Sequence, residues 1–378
     1  MKIAFIGQKG IPTKQGGIEK HVEELSTRLA KAGFDVSVYS RPHYTKSDRK
    51  SYRGVRLINL PSLPTKHLDA ISHTLFSSVH ALFQNYDVIH YHGVGPSLLS
   101  FIPRLFAPRA KVVVTFHCLD REHQKWGAFA KLMLTLGEWT ACHFPHETIV
   151  VSETLKKYCE YNFKKEVTYI PNGVSRANGK KILDQKILAK YNLKSGEYFL
   201  AVSRLIQHKG IHTLIEAYQK IRTQKKLVIV GAGAHTDEYV NQLLDLAEKN
   251  KNIIFTGQID GEPLEAIFRN AYLFVQPSQS EGLSIALLEA MSYGVPVIAS
   301  DIKENLEVVG QAGLKFRNKN AFDLANKLNY AEKNPKEIKY LAFTAKQAVA
   351  EKYDWNDIVK KTGRLYKNLA SERKLAIA

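Results

Sequence analysis

Residues 272–289 read Tyr-Leu-Phe-Val-Gln-Pro-Ser-Gln-Ser-Glu-Gly-Leu-Ser-Ile-Ala-Leu-Leu-Glu, an apolar run that ends at a proline and leads into a second apolar segment. The first run predicts a buried strand at 272–276, and we expect a helix from about Leu283. Glu281 would then lie in the loop between them, and Glu289 almost two turns inside the helix. A buried strand joined to a helix by a short loop is typical of a parallel sheet.

The loop between this strand and helix suits an anionic ligand. Gly282, Leu283 and Ser284 place backbone N–H groups at the positive end of the helix dipole. The two flanking carboxylates can accept hydrogen bonds from hydroxyl groups. A nucleotide sugar, with phosphates in the middle and hydroxyls at both ends, fits this arrangement. The alternative for this stretch alone is a helix with an acidic first turn and one solvated glutamate.

A second loop supplies positive charge. The strand predicted at 198–202 leads through Arg204 and Lys209 into an amphipathic helix predicted at 211–221. Both cations would project from a loop above a parallel sheet, where they are placed to bind a diphosphate. Cationic side chains are common on surface loops, so this pair is informative only in combination with the acidic loop.

Predicted strands alternate with predicted helices along the whole chain, and a length of 378 residues suits two domains. The strands are predicted at 2–6, 36–40, 56–60, 87–91, 111–115, 148–151 and 167–170, and then at 198–202, 227–230, 253–256, 273–276 and 296–299. N-terminal helices are predicted at 18–31, 67–83 and 124–140. Two Rossmann-like α/β domains follow, residues 1–174 and 175–354, since proline and glycine end a strand near Pro171.

The composition, with 44% hydrophobic and 24% charged residues, is that of a globular protein. No apolar run reaches the length of about 18 residues that a membrane span requires, and the first residues resemble a strand more than a signal peptide. We therefore expect a cytoplasmic protein. Cys118, Cys142 and Cys159 form no C-x-x-C pair, which favours reduced thiols.

The formal net charge is +18, and part of it is concentrated in one stretch. Between Arg41 and Lys66 seven basic residues face one acid, Asp48. This stretch predicts contact with anionic lipid, the alternative being a solvated loop. Apolar positions at 98–106, flanked by Arg104 and Arg109, would extend such a surface or form the buried face of a helix. Nucleic acid is not an expected partner, because the basic residues are spread through both halves and accompany no binding module.

Eleven of the 14 histidines precede residue 150. His90, His92 and His117 are predicted at the ends of parallel strands, where such sheets bind ligands. A metal site would need a further converging ligand and outer-shell partners that the sequence does not identify. We therefore expect neither a metal nor a cofactor.

These motifs together resemble the retaining glycosyltransferases of family 4. The resemblance runs from Met1 to about Tyr366 and is carried by Arg204 and Lys209, Glu281-x7-Glu289, Gly231-Ala-Gly233, Gly10-Ile-Pro12, Gly16-Gly-Ile-Glu-Lys-His-Val-Glu-Glu-Leu25, Thr115-Phe-His117 and Ile170-Pro-Asn-Gly-Val174. It implies the GT-B fold, in which two Rossmann-like domains face each other across a cleft. It also implies that the last helix, about 355–378, crosses back to the N-terminal domain.

The resemblance further implies a role for each site residue. Arg204 and Lys209 would compensate the charge of the departing diphosphate, and Glu281 would bind hydroxyls of the transferred sugar. Glu289 would bind the ribose diol, and His117 would steady the transition state beside the sugar. Further donor contacts are expected at Gly16, Gly17, Gln258, Ile259, Gly282, Leu283 and Ser284. Acceptor contacts are expected at Asp120, Arg121 and Glu122, and less strongly at Glu19 and His21.

The implied activity is retaining transfer of a sugar from a nucleotide sugar to a lipid-linked or saccharide acceptor in cell-envelope polysaccharide synthesis. Metal-independent chemistry is expected because the sequence contains no Asp-x-Asp motif. A rival function is a nucleotide-sugar epimerase of the same architecture, which the combination of two cations and two spaced glutamates disfavours. Peripheral contact with the inner face of the membrane is part of the leading hypothesis.

Overall fold

The computed structural model describes residues 1–14, 16–45, 49–65, 68–122, 126–175, 184–234 and 236–377, and side chains as far as residue 371. The chain forms two compact units, residues 1–172 together with 355–378, and residues 173–354. The boundary predicted at 174 lies two residues from the observed one. The charges of Lys46, Asp48 and Lys66, and the helix starts predicted at His67 and Gln124, lie outside the described residues.

The N-terminal unit is built on a sheet that has eight strands in the described ranges. Their order is β3-β4-β2-β1-β5-β6-β7-β8, and every pair is parallel except β3 with β4. The strands are β1 (Lys2–Ile6), β2 (Asp35–Ser40), β3 (Ser51–Tyr52), β4 (Val55–Asn59), β5 (Val88–His92), β6 (Lys111–Phe116), β7 (Glu147–Val150) and β8 (Thr168–Tyr169). The helices between them are α1 (Gly17–Lys31), α2 (Asp69–Leu82), α3 (Val94–Ser97), α4 (Phe101–Phe106), α5 (Ala128–His143) and α6 (Glu153–Phe163).

The C-terminal unit has a parallel sheet with the order β11-β10-β9-β12-β13-β14. Its strands are β9 (Tyr198–Val202), β10 (Lys226–Val230), β11 (Ile253–Gly257), β12 (Leu273–Gln276), β13 (Val297–Ser300) and β14 (Leu314–Phe316). Its helices are α7 (Asp184–Lys190), α8 (Ile211–Gln219), α9 (Asp237–Ala247), α10 (Gly261–Arg269), α11 (Ile285–Ser292), α12 (Lys303–Val309), α13 (Ala321–Lys333) and α14 (Pro335–Lys352).

Strand positions follow from runs of apolar residues, which parallel strands buried on both faces require. All the strands predicted from the sequence are present, with ends within one residue of the prediction. The sequence did not predict β3 and β14. These strands have two and three residues, too few for an apolar run to stand out.

The last helix, α15 (Trp355–Ile377), belongs to the N-terminal unit. Trp355, Ile358 and Tyr366 are buried in the same core as Phe5 of β1 and Leu25 of α1. The hydroxyl of Tyr366 lies 2.6 Å from Nδ1 of His90 in β5, with both residues fully buried. Packing on the sheet of this unit therefore holds the helix, as the family resemblance implied.

None of the described helices combines the length and the apolar character needed to cross a membrane.

Helix α11 begins at Ile285, two residues after the start predicted near Leu283. Ser284 ends the preceding loop and caps the helix, with its Oγ accepting from the N–H of Leu287 at 3.3 Å. A serine at this position satisfies an N–H group that the helix itself leaves unpaired, so it fixes the start. Glu289 therefore lies about one turn inside the helix instead of almost two.

In both units the strand order reverses beside the first strand. In the C-terminal unit β9 pairs on one side with β10 and on the other with β12. In the N-terminal unit β1 pairs in the same way with β2 and β5. The loops that leave the carboxyl ends at such a reversal separate to opposite faces of the sheet and leave a crevice, where open α/β sheets bind ligands.

The substitution Tyr366→Phe tests whether the buried hydrogen bond holds α15 on its unit. We expect the free energy of unfolding to fall by about 1–3 kcal/mol, because Nδ1 of His90 loses its partner in the core. Urea unfolding followed by circular dichroism measures the change. Tyr161→Phe is the control, since that side chain is 76% exposed and should tolerate the change. Equal stability of the two variants would contradict the proposed anchoring.

Candidate functional site

At the strand reversal of the C-terminal sheet, Lys209 and Glu281 form an ion pair. Lys209 ends a 3-10 turn (Gln207–Lys209) after β9, and Glu281 lies in the loop after β12. Nζ of the lysine is 2.6 and 2.7 Å from the two carboxylate oxygens. The two side chains are only 16% and 7% exposed, so water screens the pair weakly.

Further hydrogen bonds fix the carboxylate of Glu281. Its Oε1 accepts from Nε2 of Gln276 at 2.7 Å and from the hydroxyl of Ser278 at 2.6 Å. The hydroxyl of Ser300 donates to the backbone carbonyl of Ser278, and Nδ2 of Asn305 donates to Oγ of Ser300 at 2.9 Å. Since these four supporting residues are buried, the carboxylate is held in one orientation before any ligand binds.

The loops after β9 and β12 touch through their backbones. The N–H of Gln279 donates to the carbonyl of His208 at 2.7 Å. Gly210 has a φ of +69°, and a Cβ at this position would collide with the carbonyl oxygen of Pro277. Only glycine allows both the backbone conformation and the close approach, so Gly210 determines the spacing of the ion pair.

The other residues predicted to bind a donor lie around this pair in the same unit. Arg204 is half-buried in the loop after β9, and among the described carboxylates none forms an ion pair with it. Gly282, Leu283 and Ser284 are buried where the loop enters α11. Glu289 is half-buried on that helix; Ile259 is half-buried and Gln258 exposed after β11. Their roles in binding stay predictions.

His117 of the N-terminal unit lies beside two other histidines. It follows β6 directly, and its Nε2 is 3.1 Å from Nδ1 of His92 at the end of β5. The ring of His21, from α1, is 4.9 Å from the ring of His117. Burial lowers the pKa of His21 to about 4 and holds the pKa values of His92 and His117 well below 6.5. All three imidazoles are therefore neutral at pH 7.

His90 has a structural role, which the sequence analysis left open. Its two ring nitrogens are hydrogen-bonded to the hydroxyls of Tyr366 and Thr115, at 2.6 and 2.7 Å. Gly16 precedes α1 with a φ of +105°, and Gly17 is the first residue of the helix. Glu19 is buried and accepts from the backbone N–H of Lys9 at 3.2 Å. This carboxylate therefore holds the loop after β1 against the helix.

Arg121, predicted to contact an acceptor, is engaged inside the N-terminal unit. Its Nε lies 3.1 Å from Oε1 of Glu138, and its Nη2 donates to the hydroxyl of Tyr158 at 2.7 Å. That hydroxyl in turn donates to Oε2 of Glu138 at 2.6 Å. Burial raises the pKa of the Glu138 carboxyl, while the contacts with Tyr158 and Arg121 oppose the rise. Arg121 is therefore a structural residue, whatever else it contacts.

Sequence reasoning missed Glu138 and Tyr158, although one signal was available. Glu138 is the one acid of α5, a helix that is otherwise mostly apolar. Asp120, the other predicted acceptor residue in this loop, is half-buried and accepts from the thiol of Cys118 at 3.3 Å. The Arg121–Glu138 ion pair and the Cys118–Asp120 hydrogen bond both order the loop after β6.

Two family models match the chain, one in each half. The model described as Glycosyltransferase Family 4 matches residues 15–178. The model described as Glycosyl transferases group 1 matches residues 184–369. Together they span both units, which agrees with the resemblance stated from the sequence motifs. Neither describes an epimerase, so the rival enzymatic function has no support from them.

Individual proteins resemble the chain over nearly its whole length. An uncharacterised glycosyltransferase of Methanocaldococcus jannaschii is 28% identical over 391 residues, covering 97% of this chain and 98% of the relative. A phosphatidyl-myo-inositol mannosyltransferase of Mycolicibacterium smegmatis is 26% identical over 377 residues, covering 94% and 91%. The solved structure of Anabaena HepE in complex with UDP-glucose aligns with a TM-score of 0.79 at 18% identity, covering 97% and 100%.

The substitution Arg121→Ala tests the structural role of this residue. We expect a loss of about 2 kcal/mol in the free energy of unfolding, because Glu138 would stay buried without its cation. Lys156→Ala is a matched control: both cations are 35% exposed, but the partner of Lys156 is a 41% exposed glutamate instead of a fully buried one. The control substitution should lower the free energy of unfolding by less than about 0.5 kcal/mol. Urea unfolding measures both; equal losses would show that Glu138 does not depend on Arg121.

Proposed function

This chain belongs to the family 4 glycosyltransferases, whose fold is GT-B, and we propose that it transfers a sugar from a nucleoside-diphosphate sugar to a lipid-linked or saccharide acceptor with retention of configuration. The ion pair of Lys209 and Glu281 at the strand reversal carries this proposal. Its two groups match the two parts of such a donor, an anionic phosphate and neutral hydroxyls. The complex of HepE with UDP-glucose supports the donor class. The mannosyltransferase that acts on phosphatidyl-myo-inositol supports a lipid-linked acceptor.

On the donor side, each charged group has one task. A phosphate oxygen next to Nζ of Lys209 shares that ammonium with Glu281, and Arg204 adds a second positive charge. The remaining carboxylate lone pairs of Glu281 accept from sugar hydroxyls. The N–H groups that precede α11 complete the anion site with the positive end of the helix dipole. Of these groups, Lys209 and Glu281 are already held together by their ion pair.

During transfer the bond from the anomeric carbon to the diphosphate oxygen breaks and the bond to the acceptor oxygen forms. Negative charge develops on the diphosphate, where Lys209 and Arg204 stabilise it, and positive charge develops on the sugar ring. Glu281 holds the sugar in position through its hydroxyls. For retention, the acceptor attacks from the face that the diphosphate leaves, and a phosphate oxygen takes the acceptor proton. The family resemblance assigns His117 a contact with the sugar, and its imidazole, neutral at pH 7, would make that contact as a polar group instead of a cation.

The substitutions Glu281→Ala and Lys209→Ala test the donor site. After a panel of nucleotide sugars has identified the donor by binding and hydrolysis, each variant should turn it over about 10²–10³ times more slowly, because a stabilising contact in the transition state is lost. The control is Glu248→Ala, an exposed acid in the same unit. Circular dichroism checks that the variants are folded.

Near-normal turnover by either folded variant would remove the case for this donor site. Incubation with the donor alone separates the rival enzyme class. A transferase releases the nucleotide diphosphate by slow hydrolysis, whereas an epimerase converts the sugar and leaves the nucleotide sugar intact.

Metal independence is part of the proposal, since Lys209 and Arg204 supply the charge that a metal would otherwise bring. Transfer should therefore keep its rate in excess EDTA after dialysis against the chelator. Complete loss of turnover, restored by magnesium or manganese, would contradict this. Slight stimulation by a metal would not, because free nucleotide diphosphate binds such ions and leaves the enzyme faster.

We place the membrane contact on helices α4 and α5, which carry exposed apolar side chains. The rings of Phe101 and Trp139 both pack near the ring of Phe144, at centroid distances of 6.1 and 5.7 Å, so the two helices are neighbours. The exposed side chains, between 43% and 76% accessible, are Leu105, Phe106, Phe129, Leu132, Leu136 and Trp139. Arg104, Arg109 and Lys131 are exposed among them. Cations beside exposed apolar groups suit an anionic bilayer.

The basic stretch between Arg41 and Lys66 offers fewer exposed cations to a lipid surface than the sequence predicted. Arg41 is only 5% exposed and its Nη1 lies 2.6 Å from Asp69, so its place in a lipid-facing patch was wrong. Arg49, Lys50, Arg53 and Arg56 are exposed and remain available to lipid headgroups. Of the apolar positions at 98–106, Ile102 is buried, whereas Leu105 and Phe106 are exposed. Ile102 therefore belongs to the buried face of a helix, and Leu105 and Phe106 remain candidates for a lipid-facing surface.

Vesicle sedimentation tests the membrane contact with two variants. Changing Arg49, Lys50, Arg53 and Arg56 to Ser should weaken binding to anionic vesicles at low salt, because each cation contributes up to about 1 kcal/mol near the surface. Changing Phe129, Leu132, Leu136 and Trp139 to Ser should weaken the binding that remains at high salt, where charge is screened.

The matched control changes four exposed lysines of the C-terminal unit, Lys333, Lys336, Lys339 and Lys346, to Ser. This control should bind like the wild type. Failure of the wild type to bind anionic vesicles at low salt would contradict the proposed membrane contact of the N-terminal unit. Equal binding by all variants would contradict it as well.

A further inference from the structure

Three histidines from separate elements of the N-terminal unit converge on one point. His21 lies on α1, His92 at the end of β5, and His117 directly after β6. One ring nitrogen from each lies within 4.8 Å of the other two, and this is the one group of potential metal ligands found in the described ranges. Nδ1 of His92 and Nε2 of His117 are 3.1 Å apart.

The fold explains why residues so far apart in sequence meet. β5 and β6 are parallel neighbours in which His92 is aligned with Thr115, so both strands deliver a histidine to the same edge. β1, the other neighbour of β5, ends at that edge as well, and α1 begins from the loop that follows it. His21, on the second turn of α1, is the converging ligand that the sequence analysis did not identify.

The chemistry of the cluster suits a transition-metal ion. Zinc binds neutral imidazole nitrogens at about 2.0–2.1 Å, which places tetrahedral ligands about 3.3 Å apart. Nδ1 of His92 and Nε2 of His117 already have about this spacing, and the nitrogen of His21, which lies within 4.8 Å of the other ligand atoms, would move closer on binding. The three side chains are 3%, 1% and 6% exposed, and neither ring nitrogen of His21 has a hydrogen-bond partner in the described part of the chain.

We propose that His21, His92 and His117 together bind one divalent transition-metal ion of the zinc type, with the fourth position open to water or a ligand oxygen. Three histidines with one open position form a donor set that zinc accepts.

The proposed ion is an inhibitor, a consequence that rests on the proposed function. His117 serves as a neutral contact to the donor sugar there, and an imidazole nitrogen that binds a metal no longer contacts a hydroxyl. Zinc and donor therefore compete for the same side chain. The chemistry also agrees with turnover that survives chelation, because the chelator removes only an inhibitor.

Cobalt(II) is the probe, because it occupies zinc sites and its visible d–d bands report a four-coordinate environment. The full-length protein, stripped with EDTA and dialysed, should bind one equivalent of Co²⁺ with these bands, and one equivalent of Zn²⁺ should displace it. His21→Phe, which preserves a ring next to Trp355, should weaken binding by at least about 100-fold, the upper end of what losing an outer-shell partner costs. His117→Gln should do the same, and His143→Phe, an exposed histidine of the same unit, should bind like the wild type.

Each outcome decides the proposal. Absence of the bands in the wild type, or undiminished binding in both folded cluster variants, would overturn it. Equal loss in the His143→Phe control would also overturn it, because binding would then be a property of surface histidines. Inhibition of donor hydrolysis by Zn²⁺, reversed by EDTA, tests the consequence separately. If the chain hydrolysed no nucleotide sugar, the cobalt spectrum would still report on the metal site.

Discussion

Strand β9 pairs in parallel with β10 on one side and with β12 on the other, and this pairing sets the position of the donor-side residues. Parallel strands deliver all their carboxyl ends to one edge, so the loops after β9 and β12 must meet there. Lys209 and Glu281, 72 residues apart in sequence, become a bidentate ion pair as a result. The N-terminal sheet obeys the same rule and gathers its histidines at the ends of β5 and β6.

At these sheet edges the C-terminal unit buries a charged pair, whereas the N-terminal unit buries neutral imidazoles. The C-terminal unit keeps a charged pair in a nearly dry place, which is stable only because hydrogen bonds from Gln276 and Ser278 satisfy the carboxylate. The N-terminal unit packs imidazoles so tightly that burial keeps them uncharged. A charged pair suits a phosphate, whereas neutral imidazoles suit a sugar hydroxyl or, equally, a metal ion.

Helix α5 has an unusual division of its side chains. Its buried face contains Glu138, fully enclosed and paired with Arg121, while its aromatic side chains Phe129 and Trp139 face solvent. Helices on the surface of a globular protein normally show the reverse pattern. This exposed apolar stripe, with cations beside it, is the observation on which the proposed bilayer contact rests.

The sequence by itself determined the elements and the chemistry of their loops. Apolar runs located the strands, and the residue types at Lys209 and Glu281 predicted a site for phosphates and hydroxyls, because both signals are local. The tertiary structure decided which distant residues meet. The buried partner of Arg121, the buried position of Arg41 and the convergence of His21 with His92 and His117 all depend on side-chain packing between elements, which no spacing along the chain encodes. For the same reason the exposure of α5 could not be predicted, since an apolar stripe looks identical in sequence whether it faces the core or the solvent.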